Sequence, residues 1–100
     1  MIIELADFRI EDPDDFIVAM EELAGLIGSA EGAHGHTVQR SIESPERFVL
    51  LIRWDSVEAH ERFRSSPAFD GWKGRLGTHR DHIHVEHLET VLDHGWHPHD

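Results

Sequence analysis

The first ten residues alternate between two faces, and this period of two predicts a β-strand. One face carries Ile2, Glu4, Ala6, Phe8 and Ile10, and the other carries Ile3, Leu5, Asp7 and Arg9. We therefore expect the first strand over residues 1–10.

A helix is predicted to follow this strand. Asp12 can cap it, Pro13 suits its first turn, and the carboxylates of Asp14 and Asp15 compensate the helix dipole. An apolar stripe then recurs at helical spacing, with two residues widening it: Phe16, Met20, Leu23 and Ile27, with Ile17 and Ala24. Gly28 marks the expected end of the helix.

Two strands joined by a turn are predicted next. The second strand, residues 34–43, alternates through His36, Val38, Arg40 and Ile42. Residues 44–46, Ser-Pro-Glu, have turn chemistry, and the third strand is expected over residues 47–55.

The remainder of the chain is predicted to form two helices and then a strand. Asp55 with Glu58 resembles a capping box for a second helix, which Pro67 ends. Residues 68–76 predict a short helix before Gly77. The last strand is assigned from its apolar residues, which are Ile83, Val85, Leu88, Val91 and Leu92.

This order of elements predicts an α+β fold, a ferredoxin-like split βαβ domain over residues 1–92 with a four-stranded antiparallel sheet, followed by a tail over residues 93–100. The third strand is apolar on both faces, with Phe48, Leu50, Ile52 and Trp54 on one and Val49 and Leu51 on the other. Two helices cover only one face of such a sheet. A second copy of the chain is the simplest cover for the other face, so a homodimer is expected.

Composition narrows the possible functions. The 100 residues, 39% of them apolar, suit one domain. A formal charge of −11 disfavours nucleic acid and anionic membranes as partners, and the absence of cysteine removes thiolate chemistry. Glu4 and Asp7 interrupt the apolar start of the chain, so we expect a cytoplasmic protein without a membrane segment.

An ordered set of features between Gly35 and Leu76 resembles the antibiotic biosynthesis monooxygenase (ABM) family. It runs from Arg40-Ser41-Ile42-Glu43 through Pro45-Glu46-Arg47-Phe48 to Trp54-Asp55-Ser56-Val57-Glu58-Ala59-His60, and on through Phe63-Arg64-Ser65-Ser66-Pro67 to Phe69-Asp70-Gly71-Trp72. The resemblance implies a dimeric α/β barrel with a cavity between helices and sheet in each protomer. It also implies oxygenation of phenols with no metal or organic cofactor.

The resemblance also implies site residues. The family's cavity tryptophan falls on Trp54, its tyrosine on His60, and an arginine of the following helix near Lys73. A family asparagine falls on Leu50, which neither donates nor accepts a hydrogen bond. A haem-degrading branch of the family uses an asparagine, a tryptophan and a histidine, which fall near Asp7, Phe63 and Lys73, and none of them is retained.

The leading hypothesis is an ABM-type monooxygenase acting on a small hydrophobic, aromatic metabolite. His60 would be the base that removes a phenolic proton. The substrate pocket would be shaped by Trp54, Leu50, Phe63 and Trp72, with Lys73 binding a carboxylate or enolate.

Two alternatives stay open. One is a non-catalytic dimeric module that binds a small ligand or serves in assembly, which Leu50 favours. The other is a metal-dependent protein using His82, His84 and Glu86 on one strand face, with His36 as a possible addition. His94, His97 and His99 of the tail are given no function.

Overall fold

A computed structural model describes residues 1–95 of the chain, except the side chains of residues 78, 80, 81 and 82. The elements follow the predicted order, with a 3₁₀ segment added before the last strand. They are β1 (Ile2–Arg9), α1 (Pro13–Gly28), β2 (Ala33–Arg40), β3 (Arg47–Trp54), α2 (Val57–Arg64), α3 (Pro67–Lys73), the 3₁₀ segment Gly74–His82, and β4 (Ile83–Glu89).

The four strands form one antiparallel sheet in the order β2-β3-β1-β4. Central strand β1 pairs with β3, where Ala6 lies opposite Leu50, and with β4, where Ala6 lies opposite Val85. This order is the ferredoxin-like arrangement, and the α+β prediction is confirmed. Edge strands β2 and β4 lie three strand spacings apart, about 14 Å.

The core lies between one face of the sheet and the helices. Alternate residues of β1 and β3 are buried on that face, as the period of two predicts: Glu4, Ala6, Phe8, Phe48, Leu50, Ile52 and Trp54. Helix α1 covers them with Phe16, whose ring lies 4.9 Å from that of Phe8 and 5.0 Å from that of Phe48. The indole nitrogen of Trp72 donates to the carbonyl of Ala19 at 3.2 Å, which fixes α3 against α1.

Helix α1 begins as predicted, since the Asp12 carboxylate accepts the backbone N–H of Asp15 at 3.2 Å. The capping box at Asp55 and Glu58 was wrong. The hydroxyl of Ser56 caps α2 instead, accepting the N–H of Ala59 at 3.1 Å. A serine hydroxyl in an extended N-cap residue reaches the N3 amide as well as a carboxylate does, so the sequence allowed either residue.

Three boundaries differ from prediction. Strand β2 ends at Arg40, because the N–H of Ser41 bonds the carbonyl of Arg47 and begins the turn, which leaves Ile42 91% exposed. Strand β4 ends at Glu89, so Val91 and Leu92 lie outside it and are exposed. Helix α3 ends at Lys73 rather than residue 76, and a 3₁₀ segment continues from it.

One prediction about the buried face of α1 was also wrong. Ile17, predicted to widen the apolar stripe, is 39% exposed, whereas Ala19 is buried.

The second face of the sheet has no helix over it in the described residues. It carries apolar side chains that are half-buried or exposed: Ile3, Leu5, Val49, Leu51 and Leu88. The register places Leu5 opposite Leu51 and Ile3 opposite Leu88, so these side chains form one continuous patch. Among residues 1–95, no helix is long and apolar enough to cross a membrane.

Candidate functional site

A cavity of about 270 Å³ lies between the helices and the sheet. This volume is slightly below the range of roughly 300–1,000 Å³ that drug-sized ligands occupy, so the cavity suits a small molecule. Most of its wall is apolar, and four lining residues are polar: Glu4, His60, Arg64 and Lys73. The arrangement fits a ligand with an apolar body and one or two polar groups.

Five of the six predicted site residues line this cavity, namely His60, Leu50, Phe63, Trp72 and Lys73. The sixth, Trp54, is fully buried and is not one of the residues that line the cavity. Its indole ring stacks on His60 with 5.3 Å between ring centroids and 23° between the planes. Trp54 therefore packs behind His60 rather than lining the cavity.

His60 is held on both sides of its ring. Helix α2 places it with 3% exposure, its Nε2 lies 3.1 Å from Glu4 Oε1, and its Nδ1 lies 2.8 Å from His87 Nε2. Burial, followed by the electrostatic effects of His87 and Arg64, lowers the pKa of His60 to about 4. The ring is consequently neutral at neutral pH, so its 3.1 Å contact with Glu4 is not an ion pair.

Glu4 is the acidic group of the site. The carboxylate is 7% exposed, and its Oε1 also accepts a hydrogen bond from the Trp54 indole at 3.0 Å. Burial raises the pKa of Glu4, while the bond from Trp54 and the charge of Arg64 oppose that rise. A buried carboxyl of raised pKa next to a neutral imidazole can exchange a proton at moderate pH.

Sequence reasoning missed Glu4 and His87. Glu4 is the carboxylate on the face of β1 that is otherwise apolar, and a polar residue on a core face is an informative signal. His87 shares the β4 face of Ile83 and Val85 by alternation, and the register places it opposite Glu4. The pairing of β4 with β1, which brings the two together, could not be known from the sequence.

Lys73 and Arg64 supply positive charge at the cavity. The ammonium of Lys73 lies 2.9 Å from the carboxylate of Asp70, three residues earlier on the same helix. The side chain of Lys73 is 43% exposed, so the pair is weak. Both cations are available for an anionic group of a ligand.

The predicted metal ligands lie elsewhere. His84 and Glu86 share the second face of the sheet as expected, with 3.6 Å between Nε2 and Oε2 and more than half of each side chain exposed. The side chain of His82 lies outside the described residues, as do His97 and His99. His36 is on the opposite edge strand and too far away to share an ion. The described residues contain no group of three potential ligands that could hold a metal.

The arrangement of Glu4, His60 and His87 does not form a metal site either. A carboxylate and two imidazoles are common metal ligands, but the two ring nitrogens of His60 point to different partners. One ring cannot turn both nitrogens toward one ion. The trio is therefore a chain of close contacts, in which Glu4 touches His60 and His60 is hydrogen-bonded to His87.

The sequence model of the family described as antibiotic biosynthesis monooxygenase matches residues 1–75. The chain belongs to the ABM family. It is 30% identical over 97 residues to an uncharacterised protein of Bacillus subtilis, YczJ, covering 91% of this chain and all of that protein.

Solved structures agree on the fold of this ABM domain. A putative antibiotic biosynthesis monooxygenase from Bordetella bronchiseptica superposes with a TM-score of 0.82 and 32% identity, covering 91% of this chain and 97% of that one. SnoaB from Streptomyces nogalater, described as a cofactor-independent oxygenase, has a TM-score of 0.76 and 21% identity, with 92% and 93% covered. At that identity SnoaB supports the fold alone.

Proposed function

We propose that this chain is an ABM-type monooxygenase that oxygenates a small phenolic metabolite without metal or organic cofactor. The observation that carries the proposal is a buried Glu4–His60 pair at an otherwise apolar cavity, in a member of this family. Phe63, Trp72 and Leu50 enclose the aromatic body of the substrate, and Lys73 with Arg64 attracts an anionic group.

The reaction begins with loss of the phenolic proton. Glu4 and His60 act together as the base, since Glu4 Oε1 and His60 Nε2 lie 3.1 Å apart and both residues line the cavity. The resulting phenolate is electron-rich and reacts with dioxygen at a ring carbon that carries hydrogen. One oxygen atom remains as the quinone carbonyl, and the other leaves as water. The base releases the phenolic proton to solvent, and the leaving oxygen takes up the ring hydrogen and one proton from solvent, so the reaction balances.

This function is tested by oxygen uptake with naphthols and hydroquinones. We expect one dioxygen consumed for each phenol, with ¹⁸O from labelled dioxygen in the quinone. Val85→Trp narrows the cavity from the edge strand, where Val85 is 40% exposed and its replacement disturbs folding little. We expect this variant to raise KM at least tenfold. Val91→Trp, at a position 84% exposed and away from the cavity, is the matched control and should behave as wild type.

A second candidate function is a binding module without catalysis. It is favoured by Leu50, which faces the cavity where the family's oxygenases have an asparagine. Saturable binding of a naphthol, blocked by Val85→Trp and accompanied by no oxygen uptake, would support this alternative and contradict the oxygenase.

We further propose that the protein works as a homodimer through the second face of its sheet. A patch of five apolar side chains continuous across three strands is an unfavourable surface for a monomer, and a second copy presents the same patch. The dimeric arrangement implied by the family agrees with this pairing. Localisation in the cytoplasm remains an expectation from the sequence.

Leu51 lies at the centre of this patch. We expect Leu51→Glu to convert a dimer to a folded monomer, because a carboxylate without a partner would be buried at the interface. Sedimentation velocity would measure the mass and circular dichroism the fold. Ile42→Glu, in the exposed turn after β2, is the control and should stay dimeric. A monomeric wild-type protein at micromolar concentration would contradict the proposal.

A further inference from the structure

Three groups from three different elements line up beside the cavity. Glu4 lies on β1, His60 on α2 and His87 on β4, joined by contacts of 3.1 Å and 2.8 Å. Glu4 and His60 are buried, while His87 is exposed on the edge strand. The chain of contacts therefore runs from the cavity wall to the solvent.

We propose that Glu4, His60 and His87 form a proton relay, in which the buried carboxyl exchanges its proton with solvent through the two imidazoles. His87 is the outer group of the relay. It does not line the cavity and acts on the substrate only through His60 and Glu4, so it is a positioning residue. The proposal rests on the proposed function, because it assigns the route by which the base of that reaction is restored to its ionised state.

The need for such a route follows from burial. When an apolar ligand fills the cavity, it covers the side of Glu4 that lines it, and water no longer reaches the carboxyl from there. Beside the cavity, the Glu4 carboxyl contacts the indole of Trp54, which donates one proton and accepts none, and the ring of His60. His60 is the neighbour able to carry a proton onward.

The relay has two protonation states, which differ in where the protons lie along the Glu4–His60 and His60–His87 contacts. With Glu4 protonated, its O–H donates to Nε2 of His60, whose Nδ1–H donates to Nε2 of His87. Two protons then shift along these bonds, leaving a Glu4 carboxylate, an Nε2–H on His60 and an imidazolium on His87. His87 loses its Nδ1 proton to water, so the net result is transfer of one proton from Glu4 to solvent.

Electrostatics around the relay favour outward transfer. Arg64 of α2 and Lys73 of α3 are the cations that line the cavity, and Arg64 stabilises the Glu4 carboxylate while it disfavours a charged His60. β3 contributes the Trp54 indole, which donates to that carboxylate. Burial keeps the pKa of His60 at about 4, so the ring passes a proton without retaining it.

A pH jump tests the relay without any oxygen chemistry. Trp54 donates to Glu4, so tryptophan fluorescence reports protonation of that carboxyl, and Glu4→Gln identifies the signal by removing it. Cyclohexanol at saturation serves as the probe that fills the cavity, being unionised and transparent where tryptophan absorbs. After a jump from about pH 7 to about pH 5, we expect the Glu4 phase to be at least tenfold slower in His87→Ala than in wild type.

Two further variants separate proton transfer from structure. His87→Gln retains an amide that can donate to Nδ1 of His60 but carries no transferable proton, so it should be as slow as His87→Ala. Free imidazole should restore the rate of His87→Ala, whose missing side chain leaves room for it. His84→Ala, on the same strand but the opposite face, should match wild type.

Equal rates in wild type and both His87 variants would overturn the relay, as would full recovery in His87→Gln. A wild-type trace identical to that of Glu4→Gln would also overturn it, because Glu4 would then not exchange a proton. Failure of oxygen uptake alone leaves these rates unchanged and contradicts only the oxygenase.

Discussion

Replacing His60 with glutamine is expected to lower kcat for phenol oxygenation by roughly 10²- to 10⁴-fold, the range for loss of a general base. Glutamine is close to histidine in size and can still donate to Glu4, but its amide cannot accept a proton at neutral pH. The contact of His60 with Glu4 at 3.1 Å and its stacking on Trp54 hold the imidazole at the cavity wall, where the proposed base must lie. Steady-state oxygen uptake measures the effect, which should appear in kcat rather than in KM.

His84→Gln is the matched control for this substitution. It makes the same chemical change on a side chain that is 67% exposed and on the other face of the sheet, and kcat should be unchanged. Turnover in His60→Gln equal to wild type would remove His60 from the mechanism. A fall of the same size in both variants would point to general destabilisation, which the urea unfolding midpoint would reveal.

The fold was predictable because its signals are local and agree with each other. The alternation of β1, the cap at Asp12 and the apolar face of β3 each indicate the element that is observed. Boundaries depended on single hydrogen bonds. The choice of Ser56 over Asp55 as the cap of α2 is decided by which oxygen reaches the amide of Ala59, and composition does not determine that.

The site was predictable only in part. His60 followed from the resemblance to the family, and its spacing from Phe63 on a helix placed both at the cavity. Glu4 and His87 are far apart in sequence and meet through the pairing of β1 with β4. The stacking of Trp54 behind His60, rather than against a ligand, depends on the angle at which α2 crosses the sheet. Such contacts are set by tertiary packing, and the sequence pattern carries no direct signal for them.

Acid is expected to destabilise the protein through His60. The folded-state pKa of this ring is about 4, below its unfolded value of 6.5, so the unfolded chain binds a proton in this interval and the folded chain does not. The free energy of unfolding should therefore decrease as the pH falls from 6.5 to 4, by on the order of 3 kcal/mol from this group. Glu4 acts in the opposite direction. Its folded-state pKa is raised above 4.5, so its ionisation destabilises the folded state as the pH rises through that range, and its protonation partly offsets the loss on acidification.

Urea unfolding of three variants across this interval separates the two groups. His60→Gln should flatten the decrease, because the group that the unfolded chain protonates is gone. Glu4→Gln should steepen it, because the amide still accepts from the Trp54 indole but cannot take up a proton. His84→Gln, with its exposed ring, should follow wild type. If His60→Gln instead retains the full acid dependence of wild type, the low pKa of His60 is not its source, and the neutral imidazole on which both the base and the relay depend would lose its thermodynamic support.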